Sequence, residues 1–85
     1  MNSDDRRPNI HLTNREAEVL NALASGLSSK EMAKGMSITP RTVEVYIERL
    51  RFKLNARNRT HVAAIGVTLG LVLGRDLQMN LPHLA

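Results

Sequence analysis

The chain has 85 residues, carries a formal net charge of +4 and contains no cysteine. This length allows one domain with a modest core, and the absence of cysteine excludes disulfides and thiolate metal sites. The three histidines lack metal-ligand spacing, so we expect no metal and no cofactor. With only one tyrosine and one phenylalanine, the composition favours packed helices over a sheet.

The two ends of the chain differ from its middle. Residues 1–11 are interpreted as a flexible arm or linker, because they are polar and hold only one apolar side chain, Ile10, after the initial methionine. They lack the apolar run of a signal peptide, so export is not expected. We expect a folded domain over residues 12–74 and leave the tail at 75–85 unassigned. The apolar-rich run from Val62 to Gly74, which lacks charged residues, is shorter than the roughly 20 residues that span a bilayer, so no membrane contact is expected.

The first two predicted helices, at 14–25 and 29–36, each begin at a capping box. In this motif a hydroxyl side chain accepts from the backbone amide of the glutamate three residues later, and the glutamate carboxylate accepts from the backbone amide of the hydroxyl residue. Gly26 follows the first helix and supplies a left-handed residue that can end it. The second helix is only about two turns long. The capping pairs are Thr13 with Glu16 and Ser28 with Glu31.

The third predicted helix, at 40–54, starts with Thr39 as its cap and Pro40 at its first position, where a missing amide costs nothing. Its helical period separates an apolar face from a mainly polar one. The apolar residues that we expect in the core are Val43, Ile47, Leu50 and Leu54. Those that point the opposite way are Arg41, Val45, Glu48 and Phe52.

The fourth predicted helix, at 59–70, is apolar around most of its circumference. Such a helix is either fully buried or covered by a partner, and in so small a domain we favour a homodimer interface. Leu71 should also fold back onto the helix end after a glycine cap at Gly70. The predicted interface consists of Ala63, Ala64, Val67 and Leu71.

All of the excess positive charge lies in residues 40–59, which hold six basic and two acidic side chains and therefore equal the net +4 of the whole chain. Such clustering is typical of a nucleic-acid contact, although a solvated helix face would look the same. A two-turn helix, a tight turn and a longer helix with a polar outer face are the parts of a helix-turn-helix, whose second helix enters the major groove.

The residues at fixed spacings in all four helices resemble the LuxR-type (GerE-like) helix-turn-helix signature. The matching segments are Leu12–Leu20 (LTNREAEVL), Ala24–Gly26, Ser29–Ala33 (SKEMA), Ile38–Thr39, Thr42–Val43, Lys53–Leu54 and Arg59–Thr60. This resemblance implies an all-α, four-helix DNA-binding domain of a bacterial transcription regulator. Residues 54–61 and 69–71 are most similar to the quorum-sensing branch, although two-component response regulators share most of the pattern.

The resemblance also implies partners and a location. We expect double-stranded DNA and a second copy of the chain, which would dimerise on a two-fold-symmetric site. RNA polymerase is a further candidate partner, and no small-molecule ligand is expected in this domain. A protein of this kind would act in the cytoplasm, at the bacterial nucleoid.

By resemblance, the base-contacting positions are Glu44, Val45 and Glu48, and the adjacent Arg49 is a further candidate because arginine can bridge a guanine. The phosphate-contacting positions are Lys30, Thr42 and Lys53, to which side-chain chemistry adds Arg41 and Tyr46. Each glutamate could accept from a cytosine amino group or form a helix-surface ion pair, such as Glu44 with Arg41 or Glu48 with Arg51 or Arg49. Arg49 could equally bind a phosphate, and Tyr46 could simply pack against the second helix. The sequence does not explain why Phe52 lies on the polar face.

Three alternatives remain open. A sigma-factor promoter-recognition domain shares the opening LTNREAEVL pattern, but the segment from Lys53 to Thr60 argues against it. A helical adaptor that binds protein would show little effect of salt on any affinity for DNA. The third alternative is an enzyme. The sequence contains no candidate pair of nucleophile and base, no glycine-rich phosphate loop and no metal cluster, so we expect no enzymatic activity.

Overall fold

A computed structural model describes residues 10–72 of the chain. Its elements are α1 (Asn14–Ala24), α2 (Ser29–Met36), α3 (Pro40–Lys53) and α4 (Arg59–Thr68), with no strand in the described range. The predicted all-α fold and the order of its helices are confirmed. The helix α2 has the predicted bounds, whereas α1, α3 and α4 end one or two residues before the predicted positions.

The local signals that start the helices act as predicted. Both capping boxes are formed, with the cap hydroxyl accepting from the backbone amide of the third helical residue and that residue's carboxylate accepting in return. Thr39 caps α3, and its hydroxyl accepts from the Thr42 amide at 3.1 Å. The cap of α4 is Asn58, whose side chain accepts from the His61 amide at 2.9 Å; its role was not identified from the sequence.

The core lies where α1, α2 and α4 pack around the apolar face of α3. All four residues predicted for that face are buried, which confirms the helical period as the signal that orients α3. Val19 and Leu20 of α1 and Val62 of α4 are fully buried beside them. The opposite face of α3 is thereby directed away from the rest of the domain.

The helix α4 packs tightly against α1 at Gly66. A Cβ atom built on this glycine would lie 2.8 Å from Leu20 Cδ1, closer than real Cβ contacts allow. Further on, Gly70 has φ +72°, and the Leu71 amide donates to Gly66 O at 2.8 Å. Leu71 packs against the core, as predicted for an apolar residue after a glycine cap.

Ile10, which the sequence assigned to the arm, packs against the core; the division of the chain into arm, domain and tail stays a prediction. Residues 1–9 of that arm and the predicted tail at 75–85 lie outside the described residues. Within residues 10–72, no helix is both long and apolar enough to cross a bilayer.

Candidate nucleic-acid interface

The outward face of α3 is open to solvent along its length. Val45 is 45% exposed and Phe52 is 83% exposed, and both belong to the face predicted to point away from the core. Arg41, Glu48 and Arg49 are exposed with them. A helix with one exposed face can enter a groove about 12 Å wide without rearrangement of the core.

The carboxylate of Glu48 is paired within α3. Arg51 Nη2 lies 2.5 Å from Glu48 Oε2, and Arg51 Nε lies 3.2 and 3.1 Å from the two carboxylate oxygens. Hydrogen bonds from Arg51 hold the pKa of Glu48 below its ordinary value. The predicted surface ion pair of Glu48 with Arg51 is therefore confirmed, and Glu48 remains exposed on the outward face.

The carboxylate of Glu44 has a partner on another helix. Arg59, the first residue of α4, places Nη2 at 2.5 Å from Glu44 Oε1 and Nη1 at 3.1 Å from Oε2. The Ser29 hydroxyl at the start of α2 donates to Oε2 as well. Hydrogen bonds from Arg59, then from Ser29, lower the pKa of Glu44.

The alternative that paired Glu44 with Arg41 is thus wrong. Helical spacing identifies neighbours within α3 only, whereas Arg59 approaches Glu44 because the turn at 55–58 reverses the chain and returns α4 to the side of α3. Asn55, with φ 53°, makes the reversal possible. No local sequence pattern links Arg59 to Glu44, so Arg59 was not among the predicted site residues.

The side chain of Lys53 reaches back to α1. Its Nζ lies 2.6 Å from Glu16 Oε1 and 2.9 Å from His11 O. Glu16 is only 2% exposed. Burial raises the pKa of Glu16, but hydrogen bonds from Lys53 and Thr13 outweigh it and the net pKa is lowered. The ammonium group of Lys53 is thus tied to α1 and to the residue 11 carbonyl, and its phosphate contact stays a prediction.

The aromatic ring of Tyr46 packs against the core and is half-buried, as the packing alternative predicts. The guanidinium carbon of Arg49 lies 5.7 Å from the centroid of that ring, which is within the range of a cation–π contact. Tyr46 therefore supports Arg49 from one side. Because Arg49 has no ion pair among the described residues, its charge remains available to a ligand.

The other predicted phosphate contacts lie near helix starts. Lys30 is exposed in the first turn of α2, and Arg41 is exposed in the first turn of α3. Thr42 is half-buried, and its hydroxyl lies 3.0 Å from that of Thr39. Neither Lys30 nor Arg41 makes an ion pair within residues 10–72. Basic groups with helix N-termini beside them suit an anionic ligand.

The predicted interface on α4 is uneven. Val67 is 50% exposed and Ala64 is exposed, whereas Ala63 is half-buried. Leu71 packs against the core of its own domain. The apolar surface that α4 leaves exposed is therefore centred on Ala64 and Val67.

Comparisons with known proteins agree with this architecture. Residues 11–65 match the family GerE, described as bacterial regulatory proteins, luxR family. The nitrate/nitrite response regulator protein NarP of Escherichia coli (strain K12) is 50% identical over 48 residues, which cover 56% of this chain and 22% of NarP. The transcriptional activator protein AnoR of Acinetobacter nosocomialis is 41% identical over 64 residues, covering 75% of this chain and 27% of AnoR.

A solved structure of the Vibrio cholerae VqmA dimer, from a study of DNA binding by LuxR-type receptors, superimposes with a TM-score of 0.72 at 32% identity. The match covers 86% of this chain and 34% of that one. Another relative is the quorum-sensing-dependent transcriptional regulator VjbR of Brucella ovis, 38% identical over 61 residues, or 72% of this chain and 24% of VjbR.

The fold and these matches define a helix-turn-helix DNA-binding domain. The chain belongs to the luxR family of bacterial regulatory proteins, as the sequence resemblance implied. It spans about a quarter of the length of the curated relatives described above. Those relatives include both a response regulator and a quorum-sensing regulator, so assignment to the quorum-sensing branch stays a prediction.

Proposed function

We propose that this domain docks α3 in the major groove of duplex DNA and reads bases chiefly through Val45, Glu48 and Arg49. The observation that carries this proposal is the outward face of α3, which is exposed along its length while the opposite face is buried. Val45 can contact a thymine methyl group, Glu48 can accept from a cytosine amino group, and Arg49 can bridge guanine O6 and N7.

We further propose that exposed basic groups around α3 bind the phosphates of the DNA backbone. Lys30 and Arg41 are exposed cations at helix starts, and Thr42 and Tyr46 supply hydroxyl groups nearby. Lys53 contributes only if DNA competes with its contacts to Glu16 and His11. The acidic groups on α3 make the phosphate grip depend on these flanking residues, because carboxylates repel the DNA backbone.

Binding of basic groups to phosphates releases counterions from the DNA, so the affinity for duplex DNA should fall steeply as the salt concentration rises. The test measures affinity for a random duplex at several salt concentrations and selects bound duplexes from a random pool. Replacement Arg49→Ala should relax the preference at one base position, and Lys34→Ala on the exposed end of α2 is the matched control with the same change in charge. A flat salt response in the unchanged protein would contradict DNA as the ligand and favour the adaptor alternative.

We also propose that the domain dimerises on a two-fold-symmetric site through the α4 surface centred on Ala64 and Val67. The exposed fraction of Val67 and the dimeric state of the similar VqmA structure support this. Replacement Val67→Glu should shift the DNA complex from dimer to monomer in sedimentation, whereas Thr68→Glu, one residue along and exposed, should leave its mass unchanged. Equal masses for wild type and Val67→Glu would remove the interface.

The wider setting of the domain is proposed on the same basis. As a bacterial transcription regulator it would act in the cytoplasm at the nucleoid. RNA polymerase, the further partner expected from the resemblance, stays a prediction.

A further inference from the structure

We propose that Arg59 is a phosphate contact at the wall of the groove, and that Glu44 is a positioning residue that acts through Arg59 instead of reading a base. This inference rests on the proposed docking of α3 in the major groove. It assigns a DNA contact to a residue outside α3, and it removes Glu44 from the predicted set of base readers.

The first support is the way Arg59 is held. Its Nη1 and Nη2 groups bind the two oxygens of one carboxylate at 3.1 and 2.5 Å, the fork geometry in which arginine and carboxylate are most strongly matched. Ser29 Oγ lies 3.4 Å from Nη1 and also donates to Glu44. Three helices therefore fix one guanidinium group in a single orientation.

The second support is the position of Glu44 around α3. Successive helical residues are separated by about 100°, so Glu44 lies well to one side of Val45, which points directly outward and is 45% exposed. A side chain on the flank of the helix, bonded to a neighbouring helix, is directed along the edge of the interface. It does not point at the floor of the groove, where the base edges lie.

The third support is the size of the groove. An α-helix with its side chains is about 10–12 Å across and nearly fills a groove about 12 Å wide. A group bonded to the flank of the inserted helix must then lie beside the groove wall, which is lined by phosphates. Arg59, with 48% of its side chain exposed, occupies that position.

Arg59 retains the capacity to bind a phosphate while paired. Guanidinium has five N–H donors, and within residues 10–72 its contacts use the two hydrogens of Nη1 and one of Nη2. Nε–H and the remaining Nη2 hydrogen can therefore donate to a phosphate oxygen. Glu44, in contrast, accepts three hydrogen bonds from Arg59 and Ser29, so about one of the four acceptor sites of its carboxylate is left for a base.

The first experiment measures duplex affinity as a function of salt for the wild type and for Arg59→Ala. Loss of one phosphate contact should reduce the slope of log K against log salt by about 0.9 and weaken binding equally across sequences. The matched control is Arg15→Ala on α1. Arg15 is 46% exposed and pairs with Glu18 at 3.5 Å, so the control removes the same charge from a similar ion pair, and its slope should stay near that of the wild type.

The second experiment compares Glu44→Gln with Glu44→Ala. Both remove the negative charge, but glutamine keeps an oxygen that can accept from Arg59 and Ser29. Glu44→Gln should therefore bind every duplex more tightly than Glu44→Ala, and this difference should vanish when Arg59→Ala is also present. The sequences selected from a random pool should be the same for both variants and for the wild type.

Three results would overturn the inference: an unchanged salt slope in Arg59→Ala, a changed base preference in either Glu44 variant, or a Gln–Ala difference that persists without Arg59. Circular dichroism and thermal unfolding confirm that each variant is folded. Salt-insensitive binding by the wild type would instead refute the proposed function itself, so the two failures are distinct.

Discussion

Two ion pairs tie α3 to the rest of the domain, and they differ in burial. At the end of α3, Lys53 binds Glu16, whose side chain is 2% exposed. Near its start, Glu44 binds Arg59, and these side chains are 44% and 48% exposed. Both contacts are short, at 2.6 and 2.5 Å from nitrogen to oxygen, so distance does not separate them.

The difference in burial assigns the two pairs to different tasks. A buried carboxylate is costly unless a cation and hydrogen bonds compensate it, and Glu16 receives both from Lys53 and from the Thr13 amide. An exposed pair contributes little to stability and can exchange its partners with a ligand. The clasp of Lys53 and Glu16 therefore stabilises the fold, while the pair of Glu44 and Arg59 is available for binding.

The largest expected effect comes from Lys53→Met, which removes the cation but keeps most of the side chain's length. Glu16 would then be a buried carboxylate without a counter-charge, and the free energy of unfolding should fall by about 3 kcal/mol. Urea unfolding followed by circular dichroism measures the change. Lys34→Met on α2, where Lys34 is exposed and has no ion pair in the described range, should alter stability by less than about 0.5 kcal/mol. Equal losses of unfolding free energy in Lys53→Met and Lys34→Met would contradict a stabilising role for the ion pair of Lys53 and Glu16.

A smaller effect should appear when the clasp is titrated. The pKa of Glu16 is lower in the folded domain than its ordinary value of about 4.3. Its ionised form therefore stabilises the fold above that value, and this stabilisation is lost as the pH falls through the lowered pKa. Once Lys53 is removed, burial raises the pKa of Glu16 in the folded variant. The difference in unfolding free energy between wild type and Lys53→Met should therefore be largest near neutral pH and should shrink as the pH falls through the acid range to the lowered pKa of the wild type. A difference that stays constant from pH 7 to pH 3 would show that the lost interaction is not electrostatic.

The same contrast explains how far the sequence could predict this molecule. Helix starts were predictable because each capping box joins residues three positions apart. The buried face of α3 was predictable because its apolar residues recur with the helical period. These signals are local or repeat at fixed spacing.

The two ion pairs were not predictable in this way. Glu16 and Lys53 are 37 positions apart, and Glu44 and Arg59 are 15 apart. Each pair forms only after the helices pack, so a charge pattern read along one helix indicated Arg41 as the partner of Glu44 and left Lys53 open to phosphate. The correct pairing of Glu48 with Arg51, by contrast, lies within a single turn of α3.

The smallest expected effect on stability is that of breaking the exposed pair. In a double-mutant cycle of Glu44→Gln and Arg59→Ala, the coupling free energy of unfolding should be below about 1 kcal/mol, because both side chains are nearly half exposed. Urea unfolding of the wild type, both single variants and the double variant gives this value. The same proteins should show clear differences in the salt dependence of DNA binding. A coupling as large as the loss caused by Lys53→Met would make the Glu44 pair a second structural clasp, and the division of tasks between the two pairs would not hold.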